Sequence, residues 1–518
     1  MMLTTRFSIQ CGAVRFRAGA GSSPSRGEIA AEESSIPKLF FTDLSALPKS
    51  VTAGGITHAL SQDEIDAAAL IGLVDGMPFI LGPDGSYGHD LNRFFRACPT
   101  MGVRSVNSLR SYARDILVWL RFLSERRGGK SVWRADREDI AAFHEARRLS
   151  EPPYRISAAS WNRSIAALDK LYRWAVDEKL MAQAPFAYRQ YWTRLMYSGA
   201  VKAASANTAR ETGARHGNMQ FLDLPHYKLF RDVGLRGHLP DGREDPSWRG
   251  RNSERNALFA ELLLTTGLRL QEASSLLAME LPGTTYPHDV RTIPFLLSSA
   301  AAKGRKGREV RLPLRLVRQL RDYVDLERAN ALARYDARNT IERIRRPIRV
   351  IERGRRGLAI VEDREIKPVS IDLLTPQDRS RLVYETSGLS LGLWLTEGGM
   401  PMPMAAWEAV FRRASARCQR FGIDIEVTPH MLRHGFAVHM LTLLLREHIS
   451  WVIDTRSNHV GPAWRRLIGD PLLKLQRLMG HSRIESTYIY LEHIADSQEL
   501  VDAAVDQWGF DLASEASA

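Results

Sequence analysis

Hydrophobic positions between residues 100 and 190 recur at helical spacing in three segments. The first segment ends before the glycine pair Gly128-Gly129, which is a stop signal for a helix. Its apolar positions are Leu109, Tyr112, Ala113, Ile116, Leu117, Leu120 and Leu123. The second segment begins after Asp136, where Asp139 three positions later is typical of a helix N-cap. The third follows the Pro152-Pro153 break, and its apolar positions are Trp161, Ile165, Leu168, Tyr172 and Ala175. The pattern predicts a small all-helical domain.

The pattern changes further along the chain. Residues 257–277, "ALFAELLLTTGLRLQEASSLL", predict a helix, a Thr-Gly break and a second helix that begins close to Arg269. Residues 291–313 carry strand-like ends on either side of the Gly-rich basic turn "AKGRKGRE", which predicts a β-hairpin with lysines near its tip. A Pro-Asp-Gly turn at 83–85 lies between apolar stretches within 76–97, which predicts an ordered cap or hairpin there.

These segments predict the organisation of the whole chain. A chain of 518 residues is too long for one core. Residues 1–98 are expected to form an N-terminal extension that is partly disordered, because "AGAGSSPSRG" is small and polar. A helical domain is expected at 99–195, and weak periodicity predicts a linker at 196–250. The expected fold class of 251–518 is mainly α with a small β-sheet (α+β), with insertions at about 325–400 and 446–470.

Charge, cysteine content and apolar run length narrow the function classes. Lysine and arginine number 72 against 59 acidic residues, and the resulting net charge of +13 favours a polyanionic partner. A merely basic soluble protein remains the alternative. The three cysteines lie far apart, so no zinc site or disulfide framework is expected. The longest apolar run, 436–445, contains His439 and is shorter than the roughly 20 residues of a membrane span. We therefore expect a cytoplasmic protein with no membrane, metal or cofactor requirement.

Basic side chains on the predicted helices are candidates for DNA contacts. A second basic stretch is "ERIRRPIRVIERGRR" at 342–356. Phosphate contacts are one interpretation of these positions, and solvated basic faces are the other. The candidates are Arg110, Arg114, Arg163, Arg173, Lys306, Arg345 and Arg346.

Four motifs in this order resemble the tyrosine recombinase (phage integrase) family. They are "TGLRLQEA", "AKGRKGRE", "HMLRHGFA" and "LMGHSRIESTYIY". The resemblance covers about residues 100 to 505, and 99–195 resembles the core-binding domain of that family. It implies a C-shaped clamp on double-stranded DNA, nucleoid association, and a homo-tetramer held by a C-terminal helix. That helix is expected from the apolar stripe Leu500, Val501, Ala504, Val505 and Trp508; packing on its own domain is the alternative.

The resemblance implies a role for each motif residue. The nucleophile falls on Tyr490, which lies nine positions after His481, and Tyr488 is the alternative tyrosine. Arg269 and Arg433 match the phosphate-binding arginines, and Lys303 matches the hairpin lysine, with Lys306 as its alternative. His430 and His481 match groups that hydrogen-bond around the scissile phosphate. Glu272 and His434 match supporting residues.

The chemistry of strand exchange needs these residue types. Two arginines can bind the non-bridging oxygens of a phosphodiester bidentately. A tyrosine can form a covalent intermediate, and a lysine can protonate the leaving 5′-oxygen. Spacing also puts His430 and Arg433 one helical turn apart on the same face. The leading interpretation is a site-specific recombinase, or integrase, that acts through a 3′-phosphotyrosyl intermediate. A non-catalytic DNA-binding accessory protein and a topoisomerase- or resolvase-like enzyme are the alternatives.

Overall fold

A computed structural model of the chain divides into two compact units, Met1–Gly217 and Asn218–Ala518. It describes residues 36–43, 50–53, 56–59, 74–103, 105–194, 201–211, 220–337, 346–354, 356–362, 365–457 and 470–494, with the single residues 61, 64, 67 and 344. Arg345 and the predicted C-terminal helix at 500–508 lie outside these residues.

The helical core of the first unit follows the apolar pattern of the sequence. Its helices are α1 (His89–Ala97), α2 (Val106–Arg126), α3 (Arg137–His144) and α4 (Ala158–Asp177). The predicted cap of α3 is present, because Asp136 and Asp139 each accept a hydrogen bond from the backbone N–H of the other. Trp119 and Tyr172 are buried between the helices, and the Trp119 indole donates a hydrogen bond of 2.7 Å to the Tyr172 hydroxyl.

Part of the predicted N-terminal extension belongs to this core. Strand β1 (Lys38–Phe41) pairs antiparallel with β4 (Pro78–Leu81), and β2 (Ser50–Ala53) forms a hairpin with β3 (Ile56–Ala59). Phe94, Phe95 and Cys98 are fully buried in the same cluster as Trp119. The ordered cap predicted around the turn at 83–85 is therefore present, and the helical core begins before residue 99, because aromatic side chains on the short helix α1 complete it.

The predicted linker at 196–250 contains ordered elements. Strands β5 (Tyr188–Arg194) and β6 (Val201–Asn207) form a two-stranded antiparallel ribbon in the first unit. Helix α5 (Leu224–Leu229) continues into a π-helical turn at Phe230–Arg236, and Tyr227, Phe230 and Val233 are buried in the second unit. The boundary between the two units, after Gly217, lies inside the predicted linker, and the helix on its second-unit side gives only weak periodicity because a short helix followed by a π-turn breaks the 3.6-residue period.

The main core of the second unit is built on α6 (Ser253–Thr266), α7 (Leu270–Ser274), α8 (Leu314–Tyr323) and α11 (Met404–Arg420). Helix α6 is buried on nearly all sides, and Phe259 stacks on Trp407 with ring centroids 3.6 Å apart. The predicted hairpin is present as β7 (Thr292–Leu297) and β8 (Arg308–Pro313), joined through a 3₁₀ turn at Lys303–Arg305.

The long insertion contains a four-stranded sheet. Helix α9 (Ala329–Ala337) precedes it, and α10 (Pro376–Arg379) lies between its last two strands. The strands are β9 (Ile348–Arg353), β10 (Gly357–Glu362), β11 (Glu365–Ser370) and β12 (Leu382–Tyr384), in the order β11-β10-β9-β12. One face packs on Leu277 through Val350 and Leu358. The sheet thus occupies the stretch that the sequence marks as an insertion.

The last elements carry the remaining motifs. They are α12 (Pro429–Ser457), α13 (Pro471–Met479) and α14 (Glu485–Tyr488). Phe436, Leu441, Leu475, Met479 and Tyr490 form a separate buried cluster. Within the described ranges, no helix is both long and apolar enough to cross a bilayer. The second unit is mainly α-helical with small sheets, as expected for the α+β class.

Candidate active site

A buried carboxylate joins the first arginine motif to the hairpin. Glu272 lies in α7 and is 1% exposed. It accepts hydrogen bonds from the Arg269 backbone N–H at 2.9 Å and from Arg269 Nη1 at 3.0 Å. Both terminal nitrogens of Arg308, at the start of β8, also donate to it, at 3.1 and 2.8 Å. Burial favours the neutral acid, but the hydrogen bonds and charge of Arg308 outweigh it and lower the pKa of Glu272 to about 2. Glu272 is therefore an ionised anchor between two arginines.

Arg433 holds three segments of the second unit together. It lies on the first turns of α12 and is 3% exposed. Its guanidinium donates to the carbonyl oxygen of Gly267, at the C-cap of α6, and to that of Met479, at 2.7 Å, in the last turn of α13. These bonds use two of the five N–H donors of an arginine.

Gly267 allows helix α12 to pack closely against the end of helix α6. Its φ of +62° is in the left-handed region, and an added Cβ would lie 2.3 Å from the Phe436 ring. The Thr-Gly break in the sequence thus serves both the turn and the packing of α12 against α6.

Tyr490 is buried beside the rings of His434 and His481. It is 2% exposed, and its hydroxyl oxygen lies 3.2 Å from His434 Nδ1. The His481 ring is stacked on Tyr490 with centroids 6.0 Å apart, and the His430 ring contacts that of His434 at 4.2 Å. His481 Nδ1 also lies 3.0 Å from the hydroxyl of the fully buried Thr487. Tyr488, in contrast, is 47% exposed.

The electrostatics of the site favour neutral imidazoles. Burial, then the charges of neighbouring cationic groups, lower the pKa of His434 and of His481 to about 4. Burial and the charges of Arg433, Arg269 and Lys303 also lower the pKa of His430. Burial raises the pKa of Tyr490, although Arg433 and Arg269 act in the opposite direction. Near pH 7 His434 and His481 are therefore neutral, and the positive charge of the site comes from arginine and lysine.

Comparison with known proteins gives similarities to tyrosine recombinases. Residues 86–179 match the model of the phage integrase N-terminal SAM-like domain. Over 389 residues the chain is 24% identical to tyrosine recombinase XerD of Mycobacterium leprae, an alignment that covers 74% of this chain and 86% of the relative. The chain is thus similar to tyrosine recombinases over most of its length.

Two further similarities were found for this chain. It is 30% identical over 112 residues to tyrosine recombinase XerD of Corynebacterium glutamicum, which covers 22% of this chain and 28% of that relative. A crystal structure of the XerH site-specific recombinase bound to palindromic difH substrate aligns with a TM-score of 0.42 and 16% identity. That alignment covers 80% of this chain and 84% of XerH.

The structure brings the motif residues of this chain into one region of the second unit. Lys303 is exposed on the hairpin, and its backbone N–H lies 3.4 Å from a Glu272 oxygen. His430, at the start of α12, has one side of its ring packed against His434 and the rest of its surface exposed to solvent. Lys306 is exposed next to the 3₁₀ turn at Lys303–Arg305, so the hairpin presents both lysines to solvent.

Several of the candidate DNA-binding arginines have partners within their own unit. Arg163 forms two bonds of 3.1 Å with Asp115, and Arg173 pairs with Asp169 at 3.1 Å. Arg110 lies over the Phe41 ring at 5.1 Å. Arg114 is exposed on α2, and Arg346 is exposed in the second unit. Arg163 and Arg173 are about half exposed, so their intramolecular pairs remain open to solvent.

Sequence reasoning missed Arg308 and Thr487. Arg308 shares its strand face with the buried Val310 and Leu312 of β8, so the two-residue period places it inward. A charged residue at an inward position requires a partner, and this was the available signal. No sequence pattern identifies Thr487, because its contact with His481 depends on the turn that brings α14 next to that histidine.

Proposed function

We propose that this protein is a site-specific DNA recombinase that breaks and rejoins strands through a 3′-phosphotyrosyl link to Tyr490. Homology to the XerD recombinases supports a role in site-specific recombination. The observation that carries the proposal is the placement of a tyrosine hydroxyl beside a neutral histidine, in one site with Arg269 and Arg433.

Charge is the first part of the proposed chemistry. Attack on a phosphodiester places additional negative charge on the two non-bridging oxygens. Arg269 and Arg433 supply fixed donors and positive charge, and the site already contains Glu272 as the counter-charge that orients Arg269. The two arginines would therefore hold the scissile phosphate.

Proton transfer is the second part. The Tyr490 oxygen forms a bond to phosphorus while the bond from phosphorus to the 5′-oxygen breaks. The Tyr490 proton passes to His434 Nδ1, which lies 3.2 Å away and is neutral near pH 7. The exposed Lys303 ammonium donates a proton to the departing 5′-oxygen. Reversal of these transfers rejoins a strand without an external energy source, since the phosphotyrosyl bond retains the energy of the cleaved ester.

A trapping assay tests the proposal. Nicked duplexes from the DNA that flanks the coding element would be incubated with wild type, Tyr490→Phe and Tyr488→Phe. Tyr490→Phe keeps the buried ring, and Tyr488→Phe is a matched control because Tyr488 is exposed two residues earlier. We expect a denaturation-resistant protein-DNA adduct in wild type and Tyr488→Phe, and none in Tyr490→Phe. An adduct that persists in Tyr490→Phe but disappears in Tyr488→Phe would reject the assignment of the nucleophile. The absence of an adduct in all three, with intact folding and DNA binding, would reject the catalytic proposal.

A further inference from the structure

The ribbon of strands β5 and β6 lies in the first unit and has no part in the site described above. Seven residues of each strand pair in register, from Tyr188 with Asn207 to Arg194 with Val201. At about 3.3 Å per residue, the ribbon is about 23 Å long. Isolated two-stranded ribbons are marginal in water, so its structure depends on how its base is held.

The base of the ribbon is fixed to helix α4. The Tyr188 hydroxyl and the Asn207 amide both donate to one oxygen of Asp169, at 2.7 and 2.9 Å. The Arg173 guanidinium lies over the Tyr188 ring at 4.5 Å and pairs with Asp169. Burial and the bond to Asp169 raise the pKa of Tyr188 to about 12, so its hydroxyl remains a donor at physiological pH. These contacts orient the ribbon from the end nearest the helical core.

Beyond this base, β5 exposes a row of large side chains. Arg189, Gln190, Tyr191 and Trp192 are all exposed, and they alternate between the two faces of the ribbon. Trp192 is 75% exposed, the highest value among the large apolar side chains of the described residues. Neither face of this part of the ribbon is covered by the core of the first unit. A tryptophan left this open on an anchored ribbon indicates a surface that a partner covers.

The charge of the ribbon and the size of its side chains indicate which kind of partner covers it. Between Tyr188 and Asn207 the sequence contains Arg189, Arg194 and Lys202 but no acidic residue. Strand β6 contributes the small residues Ala203, Ala204, Ser205 and Ala206 opposite the large residues of β5. The ribbon is therefore thin and basic. The major groove of B-DNA is about 12 Å wide and admits a two-stranded β-ribbon, and its phosphates attract positive charge.

We propose that the β5–β6 ribbon is a DNA-contacting element that enters a groove of the duplex beside the recombination site. The proposal rests on the proposed function for the choice of duplex DNA as substrate. Arg189 would contact a phosphate, and Tyr191 and Trp192 would lie against sugars and base edges. The ribbon would thus add to the candidate DNA contacts of helices α2 and α4, which are Arg110, Arg114, Arg163 and Arg173.

The test measures duplex binding by a ribbon variant of the full chain. Fluorescence anisotropy with a labelled 40-bp duplex of mixed sequence would compare wild type with the double variant Arg189→Ala, Trp192→Ala between about 50 and 200 mM salt. Removing one phosphate contact should lower the slope of log affinity against log salt by about 0.9, and we expect Kd to rise about tenfold at the lower salt concentration. The matched control is Tyr154→Ala, Arg155→Ala, which removes an adjacent exposed aromatic and arginine from a loop of the same unit. Its Kd should change less than twofold.

Two further readouts separate the possible outcomes. An unchanged Kd and salt slope in the ribbon variant would overturn the proposal. So would a change in oligomeric state at unchanged Kd, because the ribbon would then be a protein interface. Covalent trapping at saturating DNA should be retained in the ribbon variant, since the ribbon does not contain the nucleophile. If wild type itself forms no adduct under these conditions, the result would instead count against the proposed function.

Discussion

The family motifs do not identify Arg308. Among the residues outside those motifs, it is expected to be the one whose loss affects the site most. Its side chain is 8% exposed and makes three hydrogen bonds, two to Glu272 and one of 2.9 Å from Nε to the carbonyl oxygen of Leu478. It thus connects the hairpin strand β8 to helix α7 and to the end of helix α13. We predict that Arg308→Ala destabilises the second unit and disorders the anchor of Arg269.

The magnitude follows from the burial of the carboxylate that remains. Removing one partner of a buried ion pair costs about 3–5 kcal/mol, because the other charge stays buried without compensation. Glu272 keeps its bonds from Arg269, so the lower end of about 3 kcal/mol applies. For a unit of this size, that free energy corresponds to a fall in Tm of about 6 °C. Arg308→Lys should lie between Ala and wild type, since lysine keeps the charge but not the planar fork.

The assay compares Arg308→Ala with Arg311→Ala on the same strand. Arg311 pairs with Glu309, and both side chains are more than half exposed, so this exposed pair contributes less than about 1 kcal/mol. Urea unfolding and the adduct yield would be measured for both variants. Arg308→Ala should lose most of the adduct while DNA binding changes less than tenfold. Equal unfolding midpoints for the two variants would refute the reasoning, and so would an undiminished adduct in Arg308→Ala.

The remaining predictions concern pH and packing. The pKa of Glu272 is about 2 in the folded protein and ordinarily 4.5, so the ionised carboxylate stabilises the fold above about pH 5. This stabilisation is lost as the pH falls, by roughly 2 kcal/mol at pH 3. Urea unfolding should show that the stability of Glu272→Gln lacks this pH dependence. The folded pKa of His434 is about 4, below its ordinary value of 6.5, so the rate of adduct formation should be flat between pH 6 and 8, and an acidic limb near 6.5 would contradict its role as proton acceptor. Arg433→Lys replaces the two terminal nitrogens of the planar fork by a single ammonium nitrogen and should abolish the adduct in the trapping assay, with a smaller loss of DNA binding than of adduct. Gly267→Ala should destabilise by about 2 kcal/mol more than Gly242→Ala in thermal unfolding, because both have positive φ but only Gly267 would place a Cβ against the Phe436 ring.

The sequence predicts those elements whose pattern is local. Helix α2 ends at Arg126, next to the expected glycine stop, and the capping box of Asp136 and Asp139 is present as the spacing indicates. The hairpin around Lys303 also follows from a turn between two alternating segments. In each case the information lies within a few residues, and no distant contact is needed to interpret it.

Features that depend on contacts between residues far apart in the chain are harder to predict from the sequence. The π-turn after α5 hides the burial of Tyr227 and Phe230, and α1 joins a core whose other helices follow it in the chain. The basic run at 342–356 contains a strand, and Arg349 pairs with Glu385 at 3.3 Å, 36 residues later. Ion pairs between residues so far apart in the chain produce no periodic pattern in the sequence. The same reason explains why the motif identified Glu272 but not its second arginine.

In the proposed reaction, the burial of Tyr490 adds a free-energy cost to the first step. Its ring packs in a cluster with Phe436, Met479 and Leu475, so bringing its oxygen to a phosphate requires part of that packing to open. Exposing an aromatic side chain of this size costs about 2 kcal/mol, which would leave about 3% of the molecules competent before DNA binds. The apparent affinity for productive cleavage would then be weaker than the intrinsic affinity by about thirtyfold. A cell would thereby contain a strand-cutting enzyme whose reactive group is withheld from incidental encounters with DNA.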